Sequence, residues 1–356
     1  MTTRLAIAED TYLVREALEH LLATVPEIEV VASCGDFDSL RESIGKVRPE
    51  VVLRPEDFIA PLFVCEGTGV EQPIASMPGH CRHSVDTALE TIRRWAGDGV
   101  RAVLLFGIPD RKDPLGSEAW NEQAAVQRLC RRLRDELPDL LVITDVCLCE
   151  YTDHGHCGPL APRPGGGVDV DNDAALELLA KAALSHARSG AHLVAPSAMM
   201  DGQVAAIRRV LDHQGLRSTG VLSYAVKFAS SLYGPFRDAA GSCPQCGDRR
   251  GYQMDPRSPR QAMLEAQADV DEGADLLMVK PAAAYLDIIA AVRRRFDLPL
   301  VAYHVSGEYA PIKAAAANGW LDEKAAALEI TASIKRAGAD LIITYFAPQL
   351  VGWLRG

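Results

Sequence analysis

Three cysteines, Cys147, Cys149 and Cys157, lie within eleven positions of one another in the segment DVCLCEYTDHGHCG, with His154 and His156 between them. Thiolates are soft ligands that suit Zn²⁺, and three of them leave one tetrahedral position open for water or substrate. A closed structural zinc site usually brings two C-x-x-C pairs. Here the first pair is C-x-C and no second pair follows at finger spacing, which favours an open, reactive metal over a structural clip. The plainer alternative is a chance cluster of buried thiols. Two lysines carry a different chemistry. Lys227 ends the run SYAV and Lys280 ends LLMV. An ammonium at the end of an apolar strand is desolvated, which lowers its pKa, and a second cation nearby lowers it further. The neutral amine can then attack a ketone or aldehyde and form a Schiff base. A single lysine so placed fits an ion pair equally well. Two of them beside a thiolate metal site point to two carbonyl substrates, or to one carbonyl lysine assisted by another.

Carboxylate-binding groups accompany them. Arg237 in YGPFRDAAGS and Arg249 in GDRRGYQ follow Lys227, and guanidinium pairs grip carboxylates bidentately. Ser306 in HVSGEY and Tyr345 in ITYFAP offer hydroxyl donors for a second carboxylate. Loop salt bridges and polar caps on the core are the structural alternatives for these four.

The elements that position these groups show in the hydrophobic pattern. From residue 58 onward there are eight short apolar runs: FIAPLFV, VRAVLLFG, LLVITDVC, LVAPS, GVLSYAV, LLMVKP, LVAYHV and LIITYF. Amphipathic stretches such as SVDTALETIRRWAGDG and DAALELLAKAALSHARSGA separate most of them, and Ser258 with Pro259 opens another as a helix cap. Alternating strands and helices, eight of each, predict a (β/α)8 TIM barrel. A doubly wound open sheet is the competing fold. The reactive residues favour the barrel. Asp145 and Cys147, Ser197, Lys227, Lys280, Ser306 and Tyr345 all sit at the C-terminal ends of their runs, and only a barrel brings every such end to one mouth.

Residues 1–53 read as a short βαβαβ-like N-terminal extension, from LAIAED through IEVVASC to EVVL, with the barrel occupying 54–356. The extension resembles the opening of a response-regulator receiver domain, with Glu9 and Asp10 matching its acidic pair. Arg54 and Pro55 stand where a receiver's third strand leads to its phosphorylated aspartate, so the segment reads as a truncated receiver without a working phospho-switch.

The composition narrows the function classes. The chain has 356 residues, is 48% hydrophobic and 24% charged, and carries a net charge of -11. That balance is globular, and the acidic surface argues against nucleic acid or an anionic membrane as partner. No apolar run is long enough to cross a bilayer. Nine cysteines in a long chain without a secretion signal point to a reducing cytoplasm.

From about residue 53 to the C-terminus the motifs resemble porphobilinogen synthase, also called 5-aminolevulinate dehydratase, of the zinc-dependent type. They include SMPG, LLFGIP, ITDVCLCEYTDHGHCG, VAPS, MMDG, SYAVKFAS, YGPFRDAA, GDRR, GADLLMVKPA, YHVSGEYA and KRAGADLIITYF, in family order. The resemblance implies a (β/α)8 barrel that condenses two 5-aminolevulinate molecules into porphobilinogen in tetrapyrrole (heme) biosynthesis. It makes Lys280 the Schiff-base lysine of the first (P-side) substrate and Lys227 that of the second (A-side). Ser306 and Tyr345 would bind the P-side carboxylate, and Arg237, Arg249 and Gln253 the A-side one. Cys147, Cys149 and Cys157 would hold the catalytic zinc. Asp145 and Ser197 would serve proton transfer and orientation, and Tyr224 and Tyr233 would pack around the substrates. Residues 237–252 would form a lid. Glu265 matches a glutamate that binds an allosteric Mg²⁺ in many bacterial members, and the family assembles as a homo-octamer.

Four departures stand out. Ala198 replaces an aspartate in the family's PS-D-MMDG, which leaves open a loss of activity, a changed substrate, or compensation by Asp201 or water. Cys243 and Cys246 form a C-x-x-C within the lid, where incidental thiols compete with a redox or accessory metal pair. Gly251 removes a cysteine that some members use for a second zinc. The receiver-like stub replaces most of the arm that supports the octamer. The alternatives are therefore a diverged relative acting on another amino-ketone and a non-catalytic zinc-binding scaffold.

Overall fold

The computed structural model describes residues 51–163 and 166–355, together with strands β1 (Thr3–Ala8) and β2 (Ile28–Cys34). The chain forms two compact units, Met1–Leu53 and Arg54–Gly356. In the first, β1 and β2 pair in parallel, with a register shift between Leu5 and Ala6. The expected helices of this unit, with Glu9 and Asp10, lie outside the described residues. The expected strand EVVL is not formed at residues 51–53. Pro55 opens a 3-10 turn over Pro55–Asp57, and a proline disfavours helical backbone in the residue before it; Arg54 is accordingly extended.

The second unit is a closed barrel. Its strands are β3 (Phe58–Cys65), β6 (Ala102–Ile108), β7 (Leu141–Val146), β10 (Leu193–Pro196), β11 (Gly220–Lys227), β12 (Leu276–Lys280), β13 (Leu300–His304) and β14 (Leu341–Thr344). All neighbours are parallel, and β14 pairs with β3 through Ile342 opposite Phe58, which closes the ring. The eight predicted runs are these eight strands. They are buried almost throughout, as strands wrapped by helices must be, so they read as apolar runs rather than as alternating patterns.

Helices α1 (Val85–Asp98), α2 (Ala125–Glu136), α3 (Asn172–Ser189), α4 (Gln203–His213), α5 (Gly234–Ala240), α6 (Pro259–Asp271), α7 (Leu286–Arg295), α8 (Ser306–Ala317), α9 (Glu323–Arg336) and α10 (Ala347–Arg355) follow the strands. Their ends are set locally. The Asp171 side chain accepts from the Ala174 amide at the start of α3, and Gly190 closes that helix with φ 110°. Ser258 caps α6 by accepting from the Gln261 amide, with Pro259 in its first turn, as the sequence predicts. Two short antiparallel hairpins were not expected: β4 (Glu71–Pro73) with β5 (Cys81–His83), and β8 (Leu160–Pro162) with β9 (Val168–Val170). Three-residue strands are too short for a periodicity to register. No described helix is long and apolar enough to cross a membrane.

Candidate active site

The barrel register places the two lysines side by side. Lys227 and Lys280 are direct partners in the β11–β12 pairing, at the last residue of each strand, and both are buried. Parallel neighbours run about 4.8 Å apart, so both side chains enter one space. The Lys280 ammonium lies 4.1 Å from the Tyr303 ring centroid, 5.0 Å from Tyr224 and 5.4 Å from Tyr233. The Lys227 ammonium lies 5.5 Å from the same Tyr224 ring and donates to the Ser197 carbonyl at 2.5 Å. Aromatic faces attract a cation without neutralising it, so burial still disfavours the charged form. Burial first and the Lys227 charge second bring Lys280 down to about 7, against the pull of Asp145 and Glu150.

Asp145 faces them from β7. Its Oδ2 accepts from the Ser197 hydroxyl at 3.1 Å, and its buried Oδ1 has no hydrogen-bond partner. Burial, then Glu150, raise Asp145 to about 7, while both lysines oppose the rise. Glu150 is likewise buried and is pushed up to about 8, chiefly by burial and then by Cys149. Two adjacent carboxyl groups that hold protons near neutrality, beside an amine that loses one there, form a proton-exchanging set.

The Cys147, Cys149 and Cys157 sulfurs converge within 4.8 Å of one another, all buried. Hydrogen bonds from the other two thiols hold Cys157 well below the usual thiol range, whereas burial holds Cys147 well above it. A polarised three-sulfur cluster of this reach fits a soft divalent cation. Gly155 lets the loop turn tightly. It has φ +72°, and an added Cβ would meet the Cys243 carbonyl oxygen at 2.5 Å.

The predicted lid segment lies against this loop. The Gln245 amide donates to the His154 carbonyl at 3.0 Å, and Arg249 Nη2 reaches the Gly155 carbonyl at 2.8 Å and the Ser242 carbonyl at 2.5 Å. His156 sits 2.7 Å from the Cys246 carbonyl and 3.1 Å from the Tyr252 hydroxyl. Beside this segment, one cavity is lined by Asp145, Cys149, Glu150, Ser197, Lys227, Tyr233, Arg249 and Lys280, with Phe106 and Phe236.

The remaining expected residues surround or flank this cavity. Gln253 is buried with both amide atoms unpartnered, and Arg249 Nε is also unpartnered, so the pair retains capacity for a carboxylate. Arg237 is half-buried on α5. Ser306 accepts from the Phe236 amide at 3.0 Å, and Tyr345 meets the Tyr303 hydroxyl at 3.1 Å. Glu265 does not join the mouth. It lies on α6, half-buried, raised by burial and by Asp201. Asp201 is exposed and its charge acts on Glu265 and Asp269, while Ala198 is fully buried. The second buried carboxylate near the lysines is Glu150, which sequence reasoning did not single out. Its signal was its place directly after Cys149. Tyr303, Phe106 and Phe236 were missed as well, since an aromatic in a buried strand or short helix looks like ordinary core.

Residues 39–353 match the family model described as delta-aminolevulinic acid dehydratase. The chain belongs to the delta-aminolevulinic acid dehydratase family. It is 49% identical over 316 residues to the dehydratase of Bacillus subtilis, covering 89% of this chain and 95% of that protein. It is 53% identical over 317 residues to that of Methanothermobacter thermautotrophicus, covering 88% and 95%. The barrel superposes on the Toxoplasma gondii dehydratase (porphobilinogen synthase), solved with its reaction product porphobilinogen. That match has a TM-score of 0.84 and 43% identity, and covers 88% of each chain. This dehydratase family is metal-dependent, and the three-thiol cluster supplies a metal-ligand set within the barrel.

Proposed function

We propose that this chain condenses two molecules of 5-aminolevulinate into porphobilinogen, with loss of two waters, in tetrapyrrole synthesis. Family membership supports the reaction, and one observation carries the site assignment: two buried lysines, register partners on adjacent strands, share a cavity with Cys149 and two protonatable carboxyls.

Lys280, with about half its population neutral near pH 7, attacks the ketone of the P-side substrate and forms an imine with release of water. Lys227 holds the A-side substrate in the same way. Asp145 and Glu150 take and return the protons that imine formation and carbon–carbon bond formation require, and the Ser197 hydroxyl fixes the Asp145 carboxyl. Arg249, Gln253 and Arg237 bind the A-side carboxylate, and Ser306 with Tyr345 binds the P-side one. Clamping both carboxylates makes the encounter of the two ketones effectively intramolecular. Tyr224 and Tyr233, with the lid, keep the cavity dry.

Cys147, Cys149 and Cys157 hold a zinc ion in this reading, and when bound it supplies Lewis acidity to the A-side amino or carbonyl group. Glu265 holds a separate, allosteric Mg²⁺. Its neighbour Asp269 supports this, being pushed up to about 7 by burial with Glu272, Glu265 and Asp201 close enough to repel its charge. The eight cysteines of the Arg54–Gly356 unit are free thiols, which supports a reducing cytoplasm. Assembly as a homo-oligomer, and residues 1–53 as a separate N-terminal unit, belong to the same reading.

Borohydride reduction in the presence of 5-aminolevulinate, followed by peptide mapping, tests the assignment. Adducts are expected at Lys280 and Lys227. Reduction that leaves both peptides unmodified refutes it.

A further inference from the structure

The geometry points to a second transition-metal site, outside the barrel mouth, held by Glu71, Cys81 and His83 on the β4–β5 hairpin. Their ligand atoms all lie within 4.8 Å of one another. The backbone dictates this grouping. Glu71 and His83 are directly opposed in the antiparallel pairing, and Cys81 precedes His83 by two residues on β5. Residues two apart on a strand share a face, and so do directly opposed residues, so all three side chains leave the hairpin on one side. That side opens on a cavity lined by Glu71, Cys81, His83, Arg94 and Trp95. Arg82, between the two β5 ligands, points the other way. Its guanidinium donates to the Ala239 and Asp238 carbonyls of α5, both at 2.7 Å.

His83 supplies the observation that a solvated surface cluster would lack. The residue is 5% exposed, and its Nδ1 is buried with no hydrogen-bond partner. A buried imidazole nitrogen left unpaired costs free energy that a ligand would recover. A carboxylate, a thiolate and a neutral imidazole offset the charge of a divalent cation, and three protein ligands leave one position for water. The donor set N, S and O selects Zn²⁺ or Co²⁺ over Mg²⁺ or Ca²⁺. Ligand atoms around one zinc stand about 3–4 Å apart, so a small inward movement of the exposed Glu71 side chain completes the set. The hairpin leads into α1 and grips α5, where the lid begins, so a bound ion stiffens the base of the lid.

Cobalt binding to the full-length chain tests this, because thiolate-to-cobalt charge-transfer absorption reports only sulfur-ligated ions. In a chain carrying Cys147→Ser, Cys149→Ser, Cys157→Ser, Cys243→Ser and Cys246→Ser, Co²⁺ is expected to produce that absorption still. Adding Cys81→Ser abolishes the band, and adding His83→Gln weakens the affinity at least ~10-fold. In the otherwise unaltered chain, Cys81→Ser lowers the bound Co²⁺ by one equivalent, a readout that does not depend on the multiple variant folding. Absence of sulfur-ligated cobalt in the multiple variant, persistence of its band after Cys81→Ser, or unchanged stoichiometry in the single variant overturns the site.

Discussion

Replacing Lys227 by Met isolates what one lysine does to the other. The substitution keeps the aliphatic stem and removes the charge that is the second-largest cause of the low Lys280 pKa. Both ammonium groups face the Tyr224 ring, 5.5 and 5.0 Å from its centroid, so they lie no more than about 10 Å apart. At an effective dielectric of about 20 and a separation of about 6–10 Å, their repulsion is about 2–3 kcal/mol, or about 1–2 pKa units. Lys280 should therefore titrate about 1–2 units above its starting value of about 7. It stays below an exposed lysine, because burial, the larger cause, remains. Loss of Lys227 also leaves Asp145 less ionised, which trims the rise without reversing it. The assay is the rate of borohydride trapping of Lys280 by a simple keto acid as a function of pH, at equal zinc loading in both chains. The midpoint should move to higher pH in Lys227→Met. A midpoint that stays or falls refutes the shared-cavity argument.

Further outcomes follow from the same geometry. Glu150→Gln removes one of the two carboxyl groups that exchange protons beside the lysines, so activity at neutral pH should fall by about 10²-fold, measured by steady-state kinetics. Arg249→Ala should lower kcat/KM for 5-aminolevulinate by about 10–100-fold, the usual value of a charged hydrogen-bonded contact, measured by steady-state kinetics. His80, His186 and His304 are buried, and burial brings each down from 6.5 to about 4. Below pH 6.5 the unfolded chain takes up protons that the folded one refuses. Stability is therefore full above about pH 6.5 and falls progressively toward pH 4, by up to about 3 kcal/mol per histidine. Denaturant titrations across that range should show a shallower decline in His304→Gln.

Much of this was readable because strands that are buried on both faces must be apolar throughout. Three of the barrel strands appear in the sequence as apolar runs with a charged residue at or next to the end, and that residue is delivered to the mouth: Asp145 one residue before the end of β7, Lys227 and Lys280 at the ends of β11 and β12. Register adds what order along the chain cannot. Nothing in SYAVK or LLMVK says that their lysines are opposite one another; the parallel pairing does. Glu150 escaped notice because a glutamate beside cysteines reads as a solvated loop residue until its burial is known. The Glu71, Cys81 and His83 group escaped for a different reason. Its members come from two strands of three residues, and their nearness is created by the hairpin turn alone. The contacts of the 237–252 segment with His154, Gly155 and His156 were not legible, because they depend on how two loops meet.

The decisive measurement is pyrrole formation from 5-aminolevulinate by the purified full-length chain, assayed after metal removal and again after zinc is restored. The account predicts no product from the stripped protein, recovery on adding zinc, and no recovery in Lys280→Met. Product from the stripped native chain or from zinc-loaded Lys280→Met, or none from the zinc-loaded native chain, would contradict it.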